Sequence, residues 1–170
     1  GVGAGFKLDS MKRPRGRGFY SSGQFGGVIQ GCAEYSLADR EFYGVPASST
    51  YGFAVIGLSG AVTSGTMTDC AARWSTTPVS GNTGFPLPGA SGGTFGRTIL
   101  TNPIVENGYW GVQLGSSGDG LAKALTVVNP QFTGILQYGM ICFTGALTVF
   151  GGSIAMTSAT AESAMFVATD

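Results

Sequence analysis

At 170 residues, 43% apolar and only 11% charged, the chain fits one domain with a real core and lacks the composition of a disordered polymer. Net charge is zero, and beyond residue 17 four basic groups face eight acidic ones, which argues against a broad cationic surface for nucleic acid. Histidine is absent, the three cysteines (Cys32, Cys70, Cys142) form no CxxC, and no apolar run reaches the ~18 residues of a membrane helix. No metal, cofactor or membrane partner is therefore expected, and the cysteines read as small buried apolar groups.

Thirty glycines among abundant Val, Ile, Phe and Tyr describe an all-β chain with many tight turns. Residues 1–18 hold five of the nine basic residues, broken by Gly and Pro, and read as a flexible basic arm or linker. Nucleic acid is an unlikely partner, and any such contact would run through Lys12, Arg13, Arg15 and Arg17. A first residue other than Met suggests a processed product or a piece of a longer protein. Residues 19–170 read as one all-β domain.

Within that domain, Ser36–Tyr43 is the only segment with passable helical composition, Ser36 and Asp39 resembling a capping box. Residues 74–93 hold Pro78, Pro86, Pro88 and five glycines and read as a long inserted loop. Ser116–Gly120 is Gly-rich, but no Lys or helix follows it, so it is a poor phosphate loop. The tail ends in a short apolar run, 164–168, suited to a contact with another subunit.

Between Thr98 and Thr157 one pattern occurs twice. Asn102-Pro103 is followed by Tyr109-Trp110-Gly111-Val112, and Asn129-Pro130 by Tyr138-Gly139-Met140. The Asn-Pro pairs lie 27 residues apart, a repeat length that belongs to stacked structural units. Further corners are expected at Gly31, Gly65 and Gly151, with Ile104 aligned to Phe132, Val112 to Met140 and Trp110 to Tyr138. The leading expectation is a β-solenoid of about four or five coils. A β-sandwich or jelly roll with turns every 8–12 residues is the alternative.

These Asn-Pro and aromatic-Gly units, with Leu147-Thr148-Val149-Phe150-Gly151-Gly152, resemble the right-handed parallel β-helices of bacteriophage tailspikes and tail fibres, within the pectin-lyase-like fold family. The resemblance covers about residues 50–157 and implies a homotrimer, on a virion or outside the cell, that binds cell-surface polysaccharide. Members of the group often cleave that polysaccharide as glycoside hydrolases or lyases. A structural virion or filament subunit and a sugar-binding sandwich remain alternatives.

Glycan cleavage needs two facing carboxylates. With Gly65 and Asn102 as equivalent corners, Asp69 and Glu106 would stand side by side as the catalytic candidates. Arg73, Tyr109 and Trp110 would then hold the sugar. The plainer reading makes all five ordinary groups on a solvated face.

Overall fold

The computed structural model describes residues 5–9, 11–22, 24–44, 50–57, 62–75, 78–88, 94–116, 124–157 and 163–167. The chain is all-β. Its first strands are β1 (Lys7–Asp9), β2 (Arg15–Ser22), β3 (Phe25–Gln30), β4 (Tyr35–Gly44), β5 (Tyr51–Ile56) and β6 (Val62–Thr68). They are followed by β7 (Ala71–Trp74), β8 (Thr83–Leu87), β9 (Thr94–Thr101), β10 (Ile104–Glu106), β11 (Trp110–Leu114) and β12 (Ala124–Val128). The last are β13 (Gln131–Ile135), β14 (Tyr138–Cys142), β15 (Ala146–Phe150), β16 (Ser153–Met156) and β17 (Ser163–Val167).

Every strand pairing among the described residues is parallel. One sheet runs β1-β3-β5-β8-β11-β14-β17. The other runs β15-β12-β9-β6-β4-β7-β10-β13-β16, with β2 also on β4. The long strand β4 serves two rows, since Tyr35–Ala38 pairs with β6 and Glu41–Gly44 with β7.

Register follows side-chain alternation, because inward positions recur every second residue. Leu37, Met67, Leu100 and Val127 form one buried column on successive strands, and Phe42, Ala72, Val105 and Phe132 form another. Across from them Phe53, Phe85, Val112 and Met140 fill the seven-stranded sheet's inner face, with the two Phe rings stacked at 5.7 Å. Each such side chain contributes about 1.5–3 kcal/mol by leaving water.

The second column meets backbone rather than side chains. Gly26, Gly52, Gly84, Gly111 and Gly139 lie where a Cβ would overlap the carbonyl of the next strand or the facing Phe42, Ala72, Val105, Phe132 or Ile154. A side chain there would push the two sheets apart.

The Asn102–Asn129, Val112–Met140 and Trp110–Tyr138 equivalences hold. Several expectations do not. Phe132 aligns with Val105, one residue away from Ile104. The corner equivalent to Asn102 is Asp69 rather than Gly65, and before it Asp39 rather than Gly31. Each has the left-handed φ of the Asn corners, whereas Gly65 sits inside β6 opposite Tyr35. Ser36–Tyr43 is strand, not helix: Leu37, Arg40 and Phe42 are buried, and the positive φ at Asp39 carries the period-2 pattern round the corner. The stretch 1–18 is not simply an arm, because β1 and the start of β2 belong to the sheets. Likewise 74–93 is not one loop, since Thr83–Leu87 is a fully buried strand. Residues 1–4, 10, 76–77 and 89–93 of those two stretches, most of Ser116–Gly120, and the end of 164–168 lie outside the described residues.

Candidate functional site

The candidate residues gather around the corner between β10 and β11. A buried polar knot beneath it fixes their positions. Thr50 Oγ1 accepts from Trp74 Nε1 (2.7 Å) and from Asn82 Nδ2 (2.8 Å), while Asn82 Oδ1 accepts from the Val79 N–H (2.8 Å). The Asn82 backbone carbonyl in turn accepts the N–H groups of Tyr109 (2.8 Å) and Trp110 (3.1 Å). Asn107, at φ +56, donates from Nδ2 to the Trp74 carbonyl at 2.8 Å and turns the chain there.

Tyr109 and Trp110 stand half-exposed on this support, their rings 5.9 Å apart. Tyr138, next to Trp110 in register, lies 6.4 Å from it. Trp110 Nε1 donates to Gln137 Oε1 at 2.8 Å, which pins the indole plane. The result is a short aromatic row on the outer side of a rigid sheet. Such rings offer a flat apolar face together with a polar edge.

Arg73 and Glu106 lie just before the same corner on adjacent strands, in register and ion-paired, with Glu41 a second carboxylate 3.9 Å from Arg73. Burial pulls the Arg73 pKa down, but the Glu106 hydrogen bond and charge outweigh it and leave it raised. The Glu106 side chain is 40% exposed, so the pair contributes about 1 kcal/mol or less. Arg73 Nε is buried, with no hydrogen-bond partner among the described residues.

Asp69 is elsewhere. It sits in the exposed corner four residues before Arg73, where its Oδ1 accepts from Asn102 Nδ2 at 2.8 Å. Asn102 Oδ1 then accepts from Asn129 Nδ2 at 3.0 Å. Asp69 and Glu106 therefore occupy different columns, and the expected side-by-side carboxylates are not formed. The expectation failed because Gly65 was taken as the corner: moving the corner to Asp69 pairs Glu106 with a base instead of an acid. The three cysteines are free and buried. Among the described residues no three metal-binding side chains cluster, and no helix is long and apolar enough to cross a membrane.

Comparison with known proteins gives nothing to add to this geometry. No family model, curated protein or solved structure matches the chain. The site is read from its own chemistry alone. That chemistry is an aromatic row bordered by an internally neutralised Arg–Glu pair. Sequence reasoning missed Thr50 and Asn82; Asn82-Thr83-Gly84 recurs in register with Tyr109-Trp110-Gly111 and was hidden inside the supposed loop.

Proposed function

We propose that the chain winds as a right-handed parallel β-helix and binds cell-surface polysaccharide, as a module of the tailspike and tail-fibre type carried on a virion or outside the cell. Parallel pairing and the stacked corner residues support the solenoid over a sandwich, whose sheets are antiparallel. On this winding the seven-stranded row corresponds to seven coils rather than four or five. Two of the early coils are easily overlooked, since their corners carry Asp39 and Asp69 instead of Asn-Pro.

The observation that carries the function is the row Tyr109, Trp110 and Tyr138, half-exposed and fixed by Asn82 and Gln137. Pyranose rings stack on such faces while their hydroxyls reach Gln137, Arg73 and Glu106. Binding without turnover is the reading, because the two carboxylates do not face each other. Calorimetric titration with capsular polysaccharides tests it. Trp110→Ala is expected to weaken binding about three- to tenfold, the scale of one aromatic stacking contact. Affinity unchanged by Trp110→Ala across the panel would defeat the proposal.

A structural-subunit reading is favoured by one separate observation. The last strands leave apolar side chains in water, with Phe150 57% and Met165 52% exposed.

A further inference from the structure

A second feature lies along the early strands β2, β4 and β6. A groove of about 420 Å³ is lined by Arg13, Arg15, Glu34, Tyr35, Ser36 and Thr66, with Gly65 adding only backbone. Its size falls within the ~300–1,000 Å³ of small-ligand sites. Arg15, Ser36 and Thr66 are direct cross-strand neighbours in register, which puts their Cα atoms in one row about 4.8 Å apart and their side chains on one face. Thr66 Oγ1 donates to Ser36 Oγ at 3.5 Å, a bond that leaves the Ser36 hydroxyl proton available to another acceptor.

The charges in the groove are unequally engaged. Arg13 is held by Glu34 across the neighbouring corner, and Arg17, further along, by Asp39 at 2.6 Å. Arg15 is exposed and has no carboxylate within ion-pair distance among the described residues. Its backbone is held in β2, opposite Ser36.

We infer that this groove binds an acidic group of a saccharide chain, a carboxylate or sulfate received by Arg15 with Ser36 and Thr66. The inference rests on the polysaccharide reading above and names the class of glycan. One feature favours a saccharide over nucleic acid. Among the described lining residues the one aromatic, Tyr35, is 1% exposed and hydrogen-bonded to Thr98, leaving no face for a base to stack on.

Calorimetric titration of the whole chain tests this with four probes at one salt concentration: oligogalacturonate, a heparin hexasaccharide, a neutral dextran oligomer and single-stranded oligothymidylate. Oligogalacturonate carries carboxylates alone and heparin carries both groups, so binding of heparin without oligogalacturonate assigns the sulfate. The expected result is tighter binding of at least one acidic glycan than of dextran or oligothymidylate. Arg15→Ala should weaken that binding about tenfold, as loss of a charge-assisted bidentate contact does, and Arg15→Lys should restore part of it. Circular dichroism checks the fold, which an exposed side chain should leave unchanged. Acidic-glycan affinity equal to dextran, unchanged in Arg15→Ala, or exceeded by oligothymidylate overturns the groove assignment. Trp110→Ala, measured alongside, separates the two proposals: sensitivity there without sensitivity at Arg15 leaves the aromatic row standing and removes the groove.

Discussion

Asp39, Asp69, Asn102 and Asn129 share φ values of +52, +52, +49 and +53 at one corner of successive repeats. Asn and Asp tolerate this left-handed conformation better than other L residues, and their short side chains bond to one another along the column. Asn102 both donates to Asp69 and accepts from Asn129. Asn102→Ala should therefore lose about 1–3 kcal/mol, from the broken ladder and from the strained backbone together. Asn102→Gly breaks the same bonds but relieves the backbone, so its urea midpoint should lie above that of Asn102→Ala. Equal midpoints would show that the corner conformation costs nothing.

The residue after each corner points inward, and at Cys70 this sets a pH response. Burial pushes its thiol up to about 11 from 9.0, against the opposing hydrogen bond and charge of Arg40. Below pH 9 the thiol is protonated whether folded or unfolded, and stability is unaffected by it. Between 9 and 11 only the unfolded thiol ionises, so stability falls with rising pH, at up to about 1.4 kcal/mol per pH unit. Tyr35, its phenol raised mainly by burial from 10.0, adds to the fall from its ordinary value upward. Urea unfolding across this range should show the decline, and Cys70→Ala should flatten its lower part. An identical slope in the variant would remove Cys70 as the cause.

Strand by strand, the aromatic-Gly step carries more information than the Asn-Pro pair. Phe25-Gly26, Tyr51-Gly52, Thr83-Gly84, Trp110-Gly111, Tyr138-Gly139 and Ser163-Ala164 occupy one position of successive strands. Only the fourth and fifth were legible in the sequence, because each follows an Asn-Pro closely, Trp110 eight residues after Asn102 and Tyr138 nine after Asn129. The earlier ones follow insertions of differing length, and Thr83 and Ser163 replace the aromatic. All-β character, the Asn102–Asn129 register and the aromatic slots could thus be read from residues alone. The Arg73–Glu106 pairing could not, because an Asp at a corner is indistinguishable in sequence from an Asp on a face. The glycine column yields a direct test. A Cβ at Gly111 would overlap the Gly139 carbonyl oxygen and stand 2.7 Å from the Phe132 ring. Gly111→Val is expected to cost at least about 1–3 kcal/mol, as overpacking of a filled interior does. A thermal midpoint unchanged from the parent chain would mean that the two sheets can separate freely at this level.

Over the whole molecule, parallel layering makes each unit depend on its neighbours, so the ends differ from the middle. At one end β1 and β2 each pair on one side only, and Arg40 lies over the Phe6 ring at 5.2 Å. At the other end β15, β16 and β17 are likewise paired on one side. There the interior column emerges into water: Met140 is 1% exposed, while Met165, its neighbour in register, is 52% exposed. Unpaired parallel edges above an apolar surface invite a further strand layer. The layer that fits is the opposite end of a second copy, because β2 runs parallel to β4 along its length and so matches both rows that β15 and β16 terminate. Charge favours the same arrangement, since residues 1–17 carry five basic groups and one acid while the remainder is net negative. Head-to-tail association is therefore expected, visible in sedimentation velocity as species that grow with concentration beyond a dimer. Met165→Lys places a charge on the apolar end and should return the chain to monomer without altering its circular dichroism. A monomer at every concentration would exclude the contact. A closed trimer insensitive to Met165→Lys would move the interface to the flanks of the stack.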